Sequence, residues 1–196
     1  MMTTICMVRH GETDWNAAGK IQGQKDTALN TKGREQARLA GLYLRRWRWD
    51  AVFTSPLQRS KESAYIIARA IGIHEVQEMN HFLERDFGQA EGLTSEERRR
   101  RYPDGTVPGL ELWEQLRHRT MQGLDVLVKG YPGGKLILVA HGGAINAILA
   151  TISAGSIGSG KTVLRNAGLS LIHFQHAIWE IEFYNYTAHL DARDFG

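Results

Sequence analysis

The chain enters its first predicted strand at Ile5-Cys6-Met7-Val8 and leaves it at Arg9-His10-Gly11-Glu12. A second apolar run, Leu136-Ile137-Leu138-Val139-Ala140, ends in the same way, at His141-Gly142-Gly143. In open α/β sheets, ligands bind just outside the carboxyl ends of the strands. The two runs therefore predict that two histidines meet in one crevice.

Strand-like and helix-like periodicities alternate along the chain, which indicates a three-layer α/β/α sandwich with a mainly parallel sheet. At 196 residues the chain is long enough to bury its own core, and we expect a single domain over residues 1–196. The segments 13–30 and 82–88 read as loops. Further strands are expected at 51–54, near 75–77, at 169–174 and at 177–184, with the last two as a hairpin at a sheet edge.

Helix-terminal signals and apolar periodicity place the helices. Thr31 is expected to cap a helix that ends near residues 44–46. Ser55 is expected to cap a second helix, opened by Pro56, that ends near residue 71. Three further helices are expected: a short basic one over 94–102, a long one over about 109–129 and one over about 143–152.

Composition and charge set bounds on the partners of the chain. With 42% hydrophobic and 23% charged residues, the chain is typical of a folded globular protein rather than a disordered or fibrous one. Its 24 basic and 21 acidic side chains give a net charge of +3, which is too balanced to indicate nucleic acid but suits small anions such as phosphate esters. The basic run 98–101 follows two glutamates and lacks interleaved aromatics, so we expect a solvated helix face there.

Cysteine usage and the apolar segments indicate a cytoplasmic protein without a membrane partner. Cys6 is the only cysteine and lies in a predicted strand, so we expect a packing residue and no intrachain disulfide. Residues 1–7 lack the basic and apolar regions of a signal peptide, and no apolar segment is long enough to span a bilayer.

Several segments, in order along nearly the whole chain, resemble the histidine phosphatase superfamily, the phosphoglycerate mutase-like proteins. They are Arg9-His10-Gly11-Glu12-Thr13, Asn16 with Gln22-Gly23, Gly33-Arg34-Glu35-Gln36-Ala37, Ser55-Pro56-Leu57-Gln58-Arg59-Ser60, Leu83-Glu84-Arg85-Asp86-Phe87-Gly88 and Ala140-His141-Gly142-Gly143. The chain departs from the family pattern at Ala28, where proline is usual, and at Asn30, where threonine is common. The resemblance implies a phosphoglycerate mutase-like fold that carries out phosphoryl transfer.

The resemblance implies a site that neutralises a phosphate ester, because the negative oxygens of the ester repel a nucleophile. Arg9 and Arg59 are expected to make forked hydrogen bonds to phosphate oxygens, and a protonated His141 would add a third positive charge. His10 is the expected nucleophile. One of its nitrogens must then carry a lone pair, while the other donates its proton to a nearby backbone carbonyl.

The departing alkoxide needs a proton, and the resemblance gives the role of acid to Glu84. The same carboxylate then acts as a base toward the water that hydrolyses the phosphoenzyme. Asp86 and Glu12 are alternative carboxylates near the same loops, although Glu12 is better suited to orienting the arginines. Because side chains handle the charge, neither a metal nor another cofactor is required, and the remaining histidines show no metal-ligand spacing.

Ligand contacts are expected at two places beside the histidines. The resemblance points to Asn16, Gln22 and Gly23 on the loop that follows the first strand. The amides of Gly142 and Gly143 open a helix, and such amides suit an anion.

These features predict a metal-independent phosphomonoesterase that hydrolyses small phosphorylated metabolites through a phosphohistidine intermediate. It resembles the compact broad-specificity bacterial phosphatases and, next to them, the α-ribazole-phosphate phosphatases. A cofactor-dependent phosphoglycerate mutase and a catalytically silent phospho-ligand binding protein are the alternatives. Mutases that resemble this chain have an insertion after the glutamate, whereas residues 85–108 are compact, which favours hydrolysis. We expect a cap-like segment at about 87–113, with Trp15 and Trp113 as the tryptophans suited to lining the pocket.

Overall fold

A computed structural model describes residues 1–191, in which one six-stranded sheet is flanked by helices. The domain predicted over 1–196 extends past this range, and residues 192–196 lie outside the described part. The strands are β1 (Thr3–Arg9), β2 (Ala51–Thr54), β3 (Val76–Glu78), β4 (Lys135–Ala140), β5 (Leu169–Gln175) and β6 (Ile178–Tyr186). The helices are α1 (Asp14–Ala17), α2 (Thr31–Leu44), α3 (Gln58–Ile71), α4 (Ser95–Arg101), α5 (Trp113–Gly130) and α6 (Gly142–Ile152). Short 3₁₀ turns lie at Asn80–Phe82, Gly88–Ala90 and Ala188–Leu190.

The strand order across the sheet is β3-β2-β4-β1-β5-β6. Strands β3, β2, β4 and β1 are mutually parallel, whereas β5 runs antiparallel to β1 and forms an antiparallel hairpin with β6 at the sheet edge. The predicted α/β fold with a mainly parallel sheet is therefore confirmed, as is the late hairpin.

The register of the central strands places the carboxyl ends of β1, β2 and β4 side by side. β1 and β4 are paired at Arg9 and Ala140, and the His10 amide continues this ladder by donating to the Ala140 carbonyl at 2.9 Å. Ser55 follows β2 and extends the ladder on the other side of β4. His10, Ser55 and His141 consequently leave the sheet at neighbouring points.

The central strands β1, β2 and β4 are buried on both faces of the sheet, which explains why they read as unbroken apolar runs. On β1, Ile5 and Met7 pack in the cluster that includes α5 and α6, whereas Cys6 and Val8 pack in the cluster that includes α2 and α3. Burial raises the pKa of the Cys6 thiol to about 12, which suits the expected packing residue.

The first predicted loop contains structure that the sequence analysis missed. α1 is capped by Thr13, whose side chain and that of Asn16 form reciprocal hydrogen bonds with each other's backbone amides. α2 begins at Thr31, but its cap is Asn30, whose side chain accepts a hydrogen bond from the Gly33 amide at 2.8 Å. The prediction that Thr31 is the cap is wrong by one residue because the asparagine oxygen reaches that amide.

The predicted start of the second helix is also wrong. α3 begins at Gln58 and not at Pro56, and its cap position is Leu57. Ser55 does not cap it, because the Ser55 hydroxyl lies 2.7 Å from His141 Nε2 and only at 3.4 Å from the Leu57 amide. A contact between distant parts of the chain therefore replaces the local cap.

The long helix α5 begins later than the predicted residue 109. Residues before it are extended, since Leu110 forms a β-bridge with Phe87 and the Glu111 amide donates to the Asp86 carbonyl at 2.8 Å. Across residues 1–191, no helix is both long enough and apolar enough to cross a membrane.

The loop after β1 crosses the first turn of α2 in direct backbone contact. A Cβ atom on Gly11 would lie 2.1 Å from the Gly33 carbonyl oxygen, and a Cβ atom on Gly33 would lie 2.1 Å from the Glu12 carbonyl oxygen. A larger residue at either position requires the loop next to His10 to move away from α2.

We expect Gly33→Ala to lower the free energy of unfolding by about 1–3 kcal/mol, which is the usual cost of overpacking. Urea denaturation followed by circular dichroism measures this change. Gly130→Ala is the matched control, because it lies at the end of α5 with no atom within 4 Å of the added Cβ. Equal stability of Gly33→Ala and the wild type would contradict the close backbone contact.

Candidate active site

His10 and His141 lie next to each other at the carboxyl ends of β1 and β4, as their positions after the two strands predict. Their ring centroids are 5.1 Å apart and the ring planes are inclined by 58°. The two residues are 2% and 0% exposed. They form a buried imidazole pair at the edge of the sheet.

The hydrogen bonds of His10 determine which of its nitrogens carries the proton. Nδ1 lies 2.7 Å from the Gly11 carbonyl oxygen, and because a carbonyl can only accept, Nδ1 is the donor. Nε2 then has a lone pair and accepts a hydrogen bond from Arg59 Nε at 3.3 Å. Burial lowers the pKa of His10 well below its usual value, and the positive charges of Arg59 and Arg9 lower it further. The neutral imidazole thus has the tautomer expected of a nucleophile.

Arg59 lies in the first turn of α3 and is 1% exposed. Its Nη1 donates to the Lys25 carbonyl and its Nη2 to the Gly23 carbonyl, each at 2.7 Å. Burial lowers the pKa of Arg59 to about 10, and the charges of Glu84 and Asp26 partly oppose this shift. The guanidinium remains positive at neutral pH and is held against the His10 ring.

Arg9 supplies a second buried guanidinium. Its Nη1 donates to the Leu164 carbonyl at 2.5 Å, while its Nε is buried and has no hydrogen-bond partner within residues 1–191. A Cβ atom on Gly142 would lie 3.5 Å from this Nε, so the glycine leaves room beside it. A buried donor without an acceptor is costly, and an anion in the site would supply the missing acceptor.

His141 differs from the expected third cation. Burial lowers its pKa well below the usual value, and the charges of Arg59, His10 and Arg9 lower it further. Nε2 is 2.7 Å from the Ser55 hydroxyl, and Nδ1 is buried without a partner among the described residues. In the protein alone His141 is therefore neutral, because two guanidinium groups already occupy its desolvated surroundings.

Glu84 lies at the N-terminus of α6. Its Oε1 accepts hydrogen bonds from the Arg85 amide at 2.8 Å and the Ala144 amide at 3.1 Å, and its Oε2 accepts one from the Gly143 amide at 3.0 Å. The Gly143 amide, expected to suit an anion, binds the carboxylate of Glu84 and is therefore not open to a ligand. A Cβ atom on Gly143 would lie 2.4 Å from Oε1, so glycine is needed there. The carboxyl group is thereby fixed beside the start of the helix that His141 precedes.

The two alternative carboxylates have other partners. Asp86 Oδ1 accepts a hydrogen bond from the Gly88 amide at 2.8 Å. Glu12 accepts from Lys32 Nζ at 2.8 Å and from Asn30 Nδ2 at 3.1 Å, so it does not orient Arg9 or Arg59 as expected. Within residues 1–191, no group of three or more His, Cys, Asp or Glu side chains is arranged to hold a metal ion.

The loop residues expected to touch ligand form a connected wall. The side-chain oxygen of Asn16 accepts from the Thr13 amide at 3.2 Å and from Asn166 Nδ2 at 3.1 Å. Gln22 Oε1 accepts from the Thr13 hydroxyl at 2.8 Å. Gly23, at φ 53°, directs its carbonyl to the buried guanidinium of α3. The oxygens of this wall are engaged internally, which leaves the side-chain amide nitrogens of Asn16 and Gln22 as polar groups for a ligand.

Three features of the site were not predicted from the sequence. Ser55 follows β2 as the histidines follow β1 and β4, so the same strand-end rule could have found it. Asn166 Nδ2 donates to the His10 carbonyl at 3.0 Å, but it lies in a loop with no pattern of its own. Arg119 and Glu111 hold the segment that carries Glu84, and nothing in the periodicity of α5 distinguishes this arginine from its neighbours.

The segment predicted as a cap contains the turn Gly88–Ala90 and α4. The Arg85 guanidinium lies 5.5 Å from the ring centroids of both Phe87 and Trp113. Trp15 lies near Gly92, where an added Cβ would be 3.5 Å from the indole ring. Both tryptophans therefore contact this segment or its flank.

Residues 155–162 read Gly-Ser-Ile-Gly-Ser-Gly-Lys-Thr, which matches the pattern of a phosphate-binding loop. Such a loop joins a strand to a helix, whereas this one joins α6 to the strand β5. The amides of residues 155–158 all donate to acceptors within 150–162. These amides are not available to cradle a phosphate, so the match is one of sequence alone.

Comparison with known proteins identifies similar chains. The family model described as the histidine phosphatase superfamily (branch 1) matches residues 5–187. The "Uncharacterized phosphatase PhoE" of Bacillus subtilis (strain 168) is 47% identical over 191 residues, which cover 97% of this chain and 98% of that protein. The "Metal-independent phosphoserine phosphatase" of Arabidopsis thaliana is 35% identical, covering 99% of this chain and 86% of that protein. The "Probable phosphoglycerate mutase GpmB" of Salmonella choleraesuis (strain SC-B67) is 34% identical, covering 97% of this chain and 96% of that protein.

A solved structure has the same fold. Bacillus stearothermophilus YhfR superposes with a TM-score of 0.89 at 22% sequence identity, covering 96% of this chain and 100% of that chain. At this identity the likeness establishes the architecture, while the sequence relatives establish the family.

We expect both His10 and His141 to remain neutral in the protein alone as the pH falls from 7.5 through 6.5, because both pKa values are lowered. NMR titration of the imidazole resonances, assigned with His10→Ala and His141→Gln, measures this. Adding inorganic phosphate should protonate His141, since the new negative charge opposes the effect of the arginines. A titration midpoint at or above pH 6.5 for either ring without phosphate would contradict the burial argument.

Proposed function

The chain belongs to the histidine phosphatase superfamily as a phosphoric monoester hydrolase, and we propose that it transfers the phosphoryl group of its substrate through His10 Nε2. The observation that supports this mechanism most directly is the tautomer of His10, with Nδ1 donating to Gly11 and the lone pair of Nε2 facing Arg59. A buried lone pair beside fixed positive charge is what a phosphoryl acceptor requires.

In the first step, Arg9 and Arg59 bind the phosphoryl oxygens, and the Nε2 lone pair of His10 forms a bond to phosphorus. The ester P–O bond breaks and its electron pair stays on the leaving oxygen. Glu84, in its protonated form, gives its proton to that oxygen. The products of this step are the free alcohol, phosphohistidine and the carboxylate of Glu84.

In the second step, the Glu84 carboxylate takes a proton from a water molecule, and the water oxygen forms a bond to phosphorus. The P–N bond breaks and its electron pair returns to Nε2 of His10. Inorganic phosphate leaves, and Glu84 is protonated again for the next cycle. The unpartnered Nδ1 of His141 is a further group for binding the phosphoryl oxygens once the ring is protonated.

We propose that the substrate is a small phosphorylated metabolite, with phosphoserine as the first candidate because a relative bears that name. The proposed binding groups are Asn16, Gln22, Gly23 and Gly142, and no metal or other cofactor takes part. Residues 1–196 would act as one domain in the cytoplasm, with the segment at about 87–113 as a cap over the leaving group. Arg85, the residue after Glu84, lies 5.5 Å from the ring centroids of both Phe87 and Trp113 at the two ends of this segment, which supports a position of the segment beside the proposed acid.

A mutase remains the alternative enzyme, and chain length does not separate the two activities. The relative named as a probable mutase is aligned over 208 residues and the relative named as a phosphoserine phosphatase over 207, so the aligned lengths are nearly the same for the two activities. The length argument made from the sequence is therefore insufficient, and product analysis is needed.

We expect the protein to release phosphate from p-nitrophenyl phosphate at the same rate with and without EDTA. His10→Ala should lower kcat by at least about 1,000-fold, because it removes the nucleophile. The matched control is His118→Ala, an exposed histidine on α5, which should keep full activity. Full activity of His10→Ala would reject the proposed mechanism. No activity of the wild type would support the alternative of a catalytically silent binding protein.

With 3-phosphoglycerate, we expect release of inorganic phosphate rather than formation of 2-phosphoglycerate. Phosphorus NMR of the reaction, with and without a 2,3-bisphosphoglycerate primer, distinguishes the two products. Primer-dependent appearance of 2-phosphoglycerate faster than phosphate release would establish the mutase instead.

A further inference from the structure

The guanidinium of Arg119, on α5, is fully engaged. An arginine side chain has five N–H donors in a rigid plane. In Arg119 the five donors reach Glu111 Oε1 at 2.7 Å, Glu111 Oε2 at 3.0 Å, the His81 carbonyl at 2.9 Å, the Leu83 carbonyl at 2.7 Å and the Glu84 carbonyl at 2.9 Å. Three carbonyls from one short segment therefore converge on a single cation.

Glu111 binds the same segment by its other groups. Its amide donates to the Asp86 carbonyl at 2.8 Å, and its Oε2 accepts from the Asp86 amide at 3.1 Å. Its carbonyl accepts from Arg85 Nε at 3.0 Å. The ion pair of Arg119 and Glu111 is mostly buried, with the side chains 21% and 13% exposed. We call this pair with its hydrogen bonds to residues 81–86 the clamp.

The clamp acts on the main chain of Glu84, whereas the amides at the start of α6 hold its carboxyl group. The Glu84 carbonyl also accepts from Gln24 Nε2 at 3.1 Å. The backbone on either side of Glu84 has no helix or strand of its own, since it lies between the turns Asn80–Phe82 and Gly88–Ala90. Without the clamp, the converging carbonyls would repel one another and this segment would lose its main constraint.

We propose that Arg119, held by Glu111, is a positioning residue that aligns Glu84 for proton transfer to the leaving group. The proposal rests on the proposed role of Glu84 as the acid. Proton transfer requires the donor within hydrogen-bond reach of the leaving oxygen, and small displacements of a catalytic group have large effects on rate. Arg119 makes no hydrogen bond to His10, Arg9 or Arg59 in the described chain, but its positive charge contributes to the lowered pKa of His141. An effect through His141 acts on every substrate alike, so a comparison of two substrates isolates the protonation step.

The test compares two substrates of nearly the same shape, p-nitrophenyl phosphate and phenyl phosphate. Nitrophenolate is a weak base that leaves without a proton, whereas phenolate is more basic and depends on the acid. The quantity measured is kcat/KM, which for both substrates ends at the first phosphoryl transfer. We expect Arg119→Gln to lower kcat/KM about 10-fold or more for phenyl phosphate and less than about 3-fold for p-nitrophenyl phosphate.

Two further variants keep the test decisive if Arg119→Gln does not fold. Arg119→Lys retains the charge but has fewer donors, and Glu111→Gln retains the shape of the partner without its charge. We define the ratio as kcat/KM for p-nitrophenyl phosphate divided by kcat/KM for phenyl phosphate, which Arg119→Gln should raise. Both further variants should raise this ratio by a smaller factor than Arg119→Gln does. Arg117→Gln is the matched control, because Arg117 lies on the same helix and its Nε donates to Thr151 instead, and the ratio should stay at the wild-type value.

Glu84→Gln separates failure of this proposal from failure of the proposed mechanism. Suppose that Glu84→Gln raises the ratio, whereas the Arg119 and Glu111 variants lower kcat/KM for both substrates by the same factor. The clamp is then only structural, and the proposal is overturned. If Glu84→Gln leaves the ratio unchanged, Glu84 is not the acid, and the mechanism and the proposal fall together. A raised ratio in Glu84→Gln and in the Arg119 and Glu111 variants, with the wild-type ratio in Arg117→Gln, supports the proposal that the clamp positions Glu84.

Discussion

The site depends on positive charge that the fold holds out of water. Arg59 is 1% exposed, and within residues 1–191 the acceptors of both Arg9 and Arg59 are backbone carbonyls and one imidazole rather than carboxylates in contact. Buried guanidinium groups without a paired anion are costly, and neutral carbonyls offset only part of that cost. Burial keeps both imidazoles neutral, and the charge of the two arginines adds to this effect. The same positive charge suits the proposed binding of a phosphate. The proposed nucleophile and the proposed phosphate-binding site thus depend on the same buried arrangement of charge.

The central strands were predictable from the sequence because they are buried on both faces and read as apolar runs, and the late hairpin was predictable from its alternating pattern. Helix starts were less predictable, since they depend on which polar group reaches an amide first. Ser55 stands before a proline as a helix cap would, yet its hydroxyl forms a hydrogen bond with His141, which follows β4. Asn30 caps α2 because its side chain reaches the Gly33 amide, although Thr31 is also a good capping residue. Local propensity could not decide either case.

The chemical groups of the site were predictable where strand ends or family segments mark them, as for His10 and His141. The sequence allowed a prediction of the tautomer of His10 but not of the charge of His141. The His10 tautomer follows from any nearby carbonyl, whereas the charge of His141 depends on burial between two arginines, which no sequence pattern reports. Arg119 was missed for a similar reason. Three of its five hydrogen bonds are to backbone carbonyl groups, which leave no trace in the sequence, and the other two are to Glu111 outside α5.

The central position of β1 also has a consequence for synthesis. Its neighbours are β4, which begins at Lys135, and β5, which begins at Leu169. β1 can therefore form its strand pairs only after these later segments have been synthesised. Closing such long loops is entropically slow, and domains generally fold as units when most of the chain is present. The nascent polypeptide consequently spends most of translation with the edges of β1 unpaired, and unpaired strand edges are prone to aggregate.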